Sequence, residues 1–401
     1  MKKIALFALL ALIPILSTAQ EQKAKYVFYF IGDGMGFNHV SLAEYWLGYT
    51  QGVFDSRPLS FSQFPVLGWA VTHSESNLIT DSAAAGTALS TGTKTKNGML
   101  GTAPDSSALE SIAYKIHDAG YKVGISSTVG INHATPGAFY GHSASRSEYY
   151  SIASEIPSTG FEFFAGGGAI ESNGEDGDET SVYEAIEDSG YVIAEGMDDF
   201  ADKKDEAGKM MLLQKNGRLK TELPYAIDMK DTDMTQADLV SASIDFLYDE
   251  DCPGFFIMSE GGKIDWASHG NDTKAVILET LSLSDAVAEA VEFYNAHPDE
   301  TLIIVTADHE TGGLTLSWEK GYDLLFDKLE EIHCSKDMVS EEEREHMNEI
   351  SHEAHIGWTT GDHSGANVPV FAIGAGSTLF SGRMDNTEIP KKICEAMGIR
   401  F

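Results

Sequence analysis

The chain reads as a three-layer α/β sandwich: a central, mostly parallel sheet flanked by helices, with a small inserted cap region. Three observations predict it. Continuous apolar runs of strand length recur along the sequence, as strands buried on both faces require. Segments with helical spacing separate them, so successive strands are joined by crossovers. Several runs lead within a few residues to an acid or a histidine, and folds of this kind gather their ligands at the carboxyl ends of the strands. With 401 residues, 42% of them hydrophobic, the chain can build one large domain with insertions, or two ordinary ones.

Residues 1–19 have the features of a secretory signal. Lys2 and Lys3 precede an apolar run from Ile4 to Leu16, and Ser17-Thr18-Ala19 forms a small-residue cleavage site. The run is short for a membrane span, and no Cys follows it for lipid attachment. The expectation is an exported protein without a membrane anchor, periplasmic or secreted, whose residues 20–401 form the α/β domain.

Tyr26–Ile31 is the first strand, and it ends at Gly32-Asp33-Gly34. Thr80-Asp81-Ser82 opens a short Ala-rich helix. Ala108–Ala119 reads as a helix. Tyr121–Ser126 reads as a strand leading toward His133 and Thr135, and Thr180–Ser189 as a helix. The strand Gly254–Met258 leads to Glu260. Thr273–Asn295 carries Ile277, Leu281, Ser284, Val287 and Val291 at helical spacing, with Pro298 just beyond its end. Leu302–Thr306 leads to Asp308 and His309, and Val368–Ile373 follows His363. Residues 310–360 form an acidic insertion with helices over Tyr322–Ile332 and Ser340–Ile350, expected as a surface cap over the sheet edge.

The 27 basic and 62 acidic residues give a net charge of −35, and loss of the signal leaves 25 against 62, or −37. Such a charge repels nucleic acid and anionic lipid, which excludes both as partners. An anionic substrate would need strong local positive charge. Cys252, Cys334 and Cys394 match no zinc-binding spacing. In an oxidising compartment they allow one disulfide, whose pairing the sequence leaves open.

Ser82 stands where a loop enters a helix. Such a Ser ordinarily serves as an N-cap, but a hydroxyl there can also face a phosphate cradled by the first-turn N–H groups. Asp265 and His269 share one face of a helical turn. Asp308-His309 offers the same donors at a strand end, and glycines flank Asp33 closely and His363 within its loop. Each taken singly is more often a turn or surface residue. Together they supply nitrogen and oxygen ligands for two ions, enough to clamp both oxygens of an in-line displacement and to furnish the missing positive charge.

At this point the residues resemble a family. Ile31-Gly32-Asp33-Gly34-Met35-Gly36, Thr80–Ala85 through Thr95–Gly98, His133-Ala134-Thr135-Pro136 and Ser145-Arg146 are similar to alkaline phosphatase motifs. So are Glu260–Asp265 with His269, Thr306-Ala307-Asp308-His309 and His363-Ser364-Gly365. Their order and separation match along nearly the whole mature chain. The resemblance implies hydrolysis of small phosphate monoesters to inorganic phosphate and an alcohol. It makes Ser82 the nucleophile of a phosphoserine intermediate, Arg146 the fork that grips two phosphate oxygens, and Asp81 the residue that orients Arg146. It implies two zinc ions. One is held by Asp33, Asp308 and His309 and lowers the pKa of the Ser82 hydroxyl. The other is held by Asp265, His269 and His363, stabilises the leaving oxygen and then supplies hydroxide. A third divalent ion is implied at Asp33, His133, Thr135 and Glu260, magnesium in many members. The best-known members carry Asp in place of His133 and Lys in place of Trp266, and an imidazole favours zinc or cobalt over magnesium. Family members are often homodimers, so a homodimer is an expectation here.

Two rivals remain. A phosphodiesterase of the same superfamily would typically use Thr as nucleophile and lack the Arg. A non-catalytic exported protein holding calcium would need oxygen ligands, against which the three histidines argue.

Overall fold

The computed structural model describes residues 23–401, apart from Cys252 and Lys320. The secretory signal expected over residues 1–19 and one of the three cysteines therefore lie outside the described residues. Cys334 and Cys394 are free thiols.

Ten strands form one sheet. They are β1 (Tyr26–Gly32), β2 (Val66–Val71), β3 (Lys122–Gly130), β4 (Phe163–Gly167), β5 (Tyr191–Glu195), β6 (Lys209–Leu213), β7 (Phe255–Gly261), β8 (Thr301–Thr306), β11 (Val368–Gly374) and β12 (Gly382–Asp385). A separate two-stranded ribbon pairs β9 (Glu310–Thr311) with β10 (His363–Ser364). The sheet order is β12-β2-β11-β8-β1-β7-β3-β4-β6-β5. Every pairing is parallel except the two made by β11, which runs against β2 and β8. The fold class anticipated from the sequence is the one observed.

Every residue of β1, β7 and β8 is buried, which is why these segments read as unbroken apolar runs. Register places their ends level: Ile31 pairs with Glu260 on one side and with Thr306 on the other. The residues just past these strands are therefore delivered to one rim. Because β11 is reversed, its amino end lies at that same rim, and His363, upstream of it in sequence, arrives there too.

Helices depart from expectation at their ends. The long helix spans Thr273–Ala296 and is capped by Asp272, which accepts from Ala275 N at 3.2 Å. The helix expected from Ala108 begins only at Ile112, because Ala108 bridges to Thr102 and Leu109 N donates to Gly101 O. Thr180–Ser189 shortens to Val182–Asp188. Tyr322–Ile332 contracts to a turn at Phe326–Leu329, since Leu325 N is drawn to Ala354 O. Ser340 and Glu343 form a capping box that starts the helix Glu341–Glu353. Residues 310–360 pack a second, smaller core in which Phe326, Leu329, Met347, Ile350 and Trp358 meet Leu42 and Trp46 of the helix Phe37–Thr50.

Candidate active site

The helix Ser82–Thr91 is capped by Asp81, whose Oδ1 accepts from Ala84 N at 3.0 Å. Ser82 is thus the first helical residue, and its hydroxyl is not spent on capping. Ser82 Oγ lies 3.2 Å from His309 Nε2. The second oxygen of Asp81 accepts from Gly98 N at 3.0 Å and from Arg146 Nη1 at 3.2 Å. Arg146 Nη2 lies 3.2 Å from His133 Nε2. A guanidinium only donates, so His133 accepts here. Burial, and next the Arg146 charge, hold the His133 pKa down to about 4, which keeps the ring neutral.

Three groups of donors converge beside Ser82. Asp33, Asp308 and His309 bring ligand atoms within 4.8 Å of one another, as do Asp265, His269 and His363, and again Asp33, His133 and Glu260. His309 Nε2 is 3.1 Å from Asp308 Oδ2 and 3.4 Å from Asp33 Oδ1. Thr135 Oγ1 donates to Asp33 Oδ2 at 3.5 Å. The His309 and His363 rings stack with centroids 3.6 Å apart, joining the first two groups. Gly34 permits the closeness: its φ is +75°, and a Cβ there would meet Thr311 Oγ1 at 2.8 Å and Asp265 Cα at 2.9 Å. Every site residue singled out in the sequence lies in this one constellation.

The constellation suits divalent cations. His269 Nδ1 lies 2.6 Å from Gly361 O and His363 Nδ1 lies 2.8 Å from Thr80 O. Carbonyls only accept, so both rings carry hydrogen on Nδ1 and turn their Nε2 atoms toward each other at 3.2 Å. Such a pair needs a proton or a cation between its lone pairs, and backbone carbonyls hold ligating imidazoles in this way. Asp33 Oδ1, Asp308 Oδ2, Glu260 Oε1 and His133 Nδ1 are buried without a hydrogen-bond partner. Buried polar atoms are rarely left so, and these belong to the ligand groups. Burial raises the Asp33 carboxyl well above its usual range, with Asp308 adding to the effect, and raises Glu260 to about 7. Burial also acts upward on Asp265, but its hydrogen bond to His269 and the neighbouring imidazoles hold it below the usual carboxylate range.

Several supporting residues escaped the sequence. Thr311 donates to Asp265 Oδ1 and sits 3.2 Å from His309 Nδ1. Its position two after His309, in an extended segment, was the available signal. Ser127 donates to Glu260 and Ser364 to Glu310, contacts that follow from strand pairing and leave no trace in local sequence. Trp266 packs edge-on against His133, centroids 5.7 Å apart, and Lys263 Nζ lies 5.1 Å from the indole ring.

A model of a family described as alkaline phosphatase matches residues 24–166 and 162–399. The chain is 30% identical to alkaline phosphatase 3 of Bacillus subtilis (strain 168), over 95% of this chain and 92% of that one. Alkaline phosphatase from the Antarctic bacterium TAB5 is similar in structure, with a TM-score of 0.77 and 30% identity, over 95% of this chain and 100% of that one. A histidine-to-glutamate mutant of the TAB5 enzyme, with magnesium bound in its M3 site, matches at a TM-score of 0.78, with the same identity and coverage.

Proposed function

The chain belongs to the alkaline phosphatase family of phosphate monoester hydrolases, and from that premise we propose that it acts through a phosphoserine formed on Ser82, with divalent cations held by the three ligand groups. The observation that carries the reading is the position of Ser82 Oγ, uncapped, 3.2 Å from His309 and at the start of a helix. Asp33, Asp308 and His309 would hold one zinc, Asp265, His269 and His363 a second, and Asp33, Glu260, Thr135 and His133 a third ion. When bound, these cations supply Lewis acidity and positive charge for the transferring phosphoryl group. The magnesium in the TAB5 mutant's M3 site supports magnesium as one candidate for the third ion, with zinc or cobalt as the alternatives that an imidazole ligand raises.

The chain's own residues then act in order. Arg146, braced at Nη1 by Asp81, keeps its remaining hydrogens for two phosphate oxygens. Asp81 already engages the N–H groups of Ala84 and Ala85, which leaves the Ala83 N–H for the same anion. Ser82 Oγ attacks phosphorus, the ester bond breaks, and the alcohol departs with a proton. Water then displaces Ser82 Oγ from phosphorus, releasing inorganic phosphate and restoring the hydroxyl. Transfer of this kind is governed by positioning and charge.

Ser82→Ala is the test. It should abolish nearly all monoester hydrolysis while the protein keeps its zinc by elemental analysis; unchanged activity would refute the assignment. Arg146 favours monoesters over diesters, and the ratio of the two rates checks that preference. Export also belongs to this proposal, and amino-terminal sequencing of the mature protein, expected to begin near Gln20, tests it.

A further inference from the structure

Lys336 is only 6% exposed, although lysine is seldom buried without a partner. Its Nζ donates to three oxygens: Gly270 O at 2.8 Å, Asn271 O at 2.9 Å and Asn348 Oδ1 at 2.6 Å. Its backbone N–H donates to Asp272 Oδ2 at 2.7 Å. The same Asp272 caps the helix Thr273–Ala296 through its other oxygen. The short loop Gly270–Asp272 is therefore gripped from the 310–360 segment at every residue.

That loop directly follows His269. The helix Lys263–His269 has seven residues and carries both Asp265 and His269. So short a helix has little stability of its own, and the carbonyls of Trp266, Ala267 and Ser268 are closed by the N–H groups of Gly270, Asp272 and Asn271. Lys336 takes the next two carbonyls and sets its charge at the helix carboxyl end, where the dipole favours a cation. Asn271, at a φ of +49°, turns the chain at this point. His269 is also the most open ligand of its group: its side chain is 38% exposed, against 5% for Asp265 and 14% for His363.

We propose that Lys336 is a positioning residue for the Asp265–His269–His363 metal site. Its ammonium is an internal cation that fixes the end of the ligand-bearing helix and so keeps His269 in register with the other two ligands. The proposal rests on reading those three residues as metal ligands.

Lys336→Met keeps the stem and removes the charge. Zinc release into a coloured chelator, measured on the zinc-loaded enzyme, separates the roles. One ion per chain should leave about tenfold faster than from the native enzyme, as loss of support behind a ligand commonly costs. The remaining zinc should leave at the native rate. Activity lost on dilution should return with added zinc, and Lys336→Arg should restore much of the slow release. If Lys336→Met lowers the melting temperature but releases all zinc at native rates, Lys336 serves the fold only and the proposal is overturned. If that variant does not fold, Asn348→Ala, which removes one acceptor, carries the test. A smaller acceleration than in Lys336→Met, confined to one ion, is then expected, and native release would overturn the proposal. A native chain that binds no zinc would overturn the metal-site reading and this inference with it, an outcome distinguishable by metal content alone.

Discussion

Under the proposed metal reading, protons and cations compete for the same atoms at this site. The hydrogen bond to Asp265 raises the His269 pKa to about 9, and burial raises Glu260 to about 7. The form that binds metal has lost these protons. Zinc affinity should therefore rise with pH through 7 and on toward 9, and fall steadily below that window. Calorimetric titration of the metal-free protein at pH 7, in two buffers of different ionisation enthalpy, should show proton release on zinc binding; equal heats in both would contradict it. His133 presents a second competition. With Nε2 accepting from Arg146, the neutral ring keeps its hydrogen on Nδ1, so ligation through Nδ1 would require giving up the Arg146 contact. A carboxylate has acceptors for both duties. His133→Asp should raise magnesium affinity, measured by elemental analysis after dialysis against graded magnesium.

Among the elements, the turn after β1 decides how closely the ligand groups approach. Gly34→Ala would force a left-handed residue, at a cost of about 1–2 kcal/mol, and would push on Thr311 and Asp265. The expectation is a lower melting temperature with a drop in kcat of at least about tenfold; wild-type turnover would show that the turn has slack. The elements also show what the sequence could tell. β1, β7, β8 and β11 announced themselves because burial on both faces favours continuous apolar runs. β4, β5 and β6 are each only five residues long, and so short a run is equally compatible with a buried helical turn. The edge-side β2 is half-exposed and patterned too weakly to read. The direction of β11 was illegible, since an apolar run is the same read either way. The candidate ligand residues, which the structure brings together, nonetheless stood out in the sequence as acids and histidines beside glycines or at strand ends. Their supports, Ser127, Thr311 and Lys336, depend on pairings between distant segments.

Across the whole molecule, charge sets the approach of substrate. A chain at −35 repels a phosphate monoester dianion at long range, and the Debye length shrinks from about 30 Å at 0.01 M salt to about 8 Å at 0.15 M. The second-order constant kcat/KM should therefore increase over that range while kcat changes little. A decrease would mean that the cations and Arg146 govern the field beyond the site. Among the described residues, no helix is long and apolar enough to cross a membrane.

Gathering ligands from Asp33 at one end to His363 near the other has a consequence for biosynthesis. A nascent polypeptide acquires the reversed strand and its adjoining imidazole late, so under the proposed chemistry it cannot assemble the full set of cation sites until most of it has been made. Products of stalled translation or early proteolysis would lack His363 and with it one complete ion site. Hydrolytic competence would thereby report that the polypeptide had been carried through to its last strands.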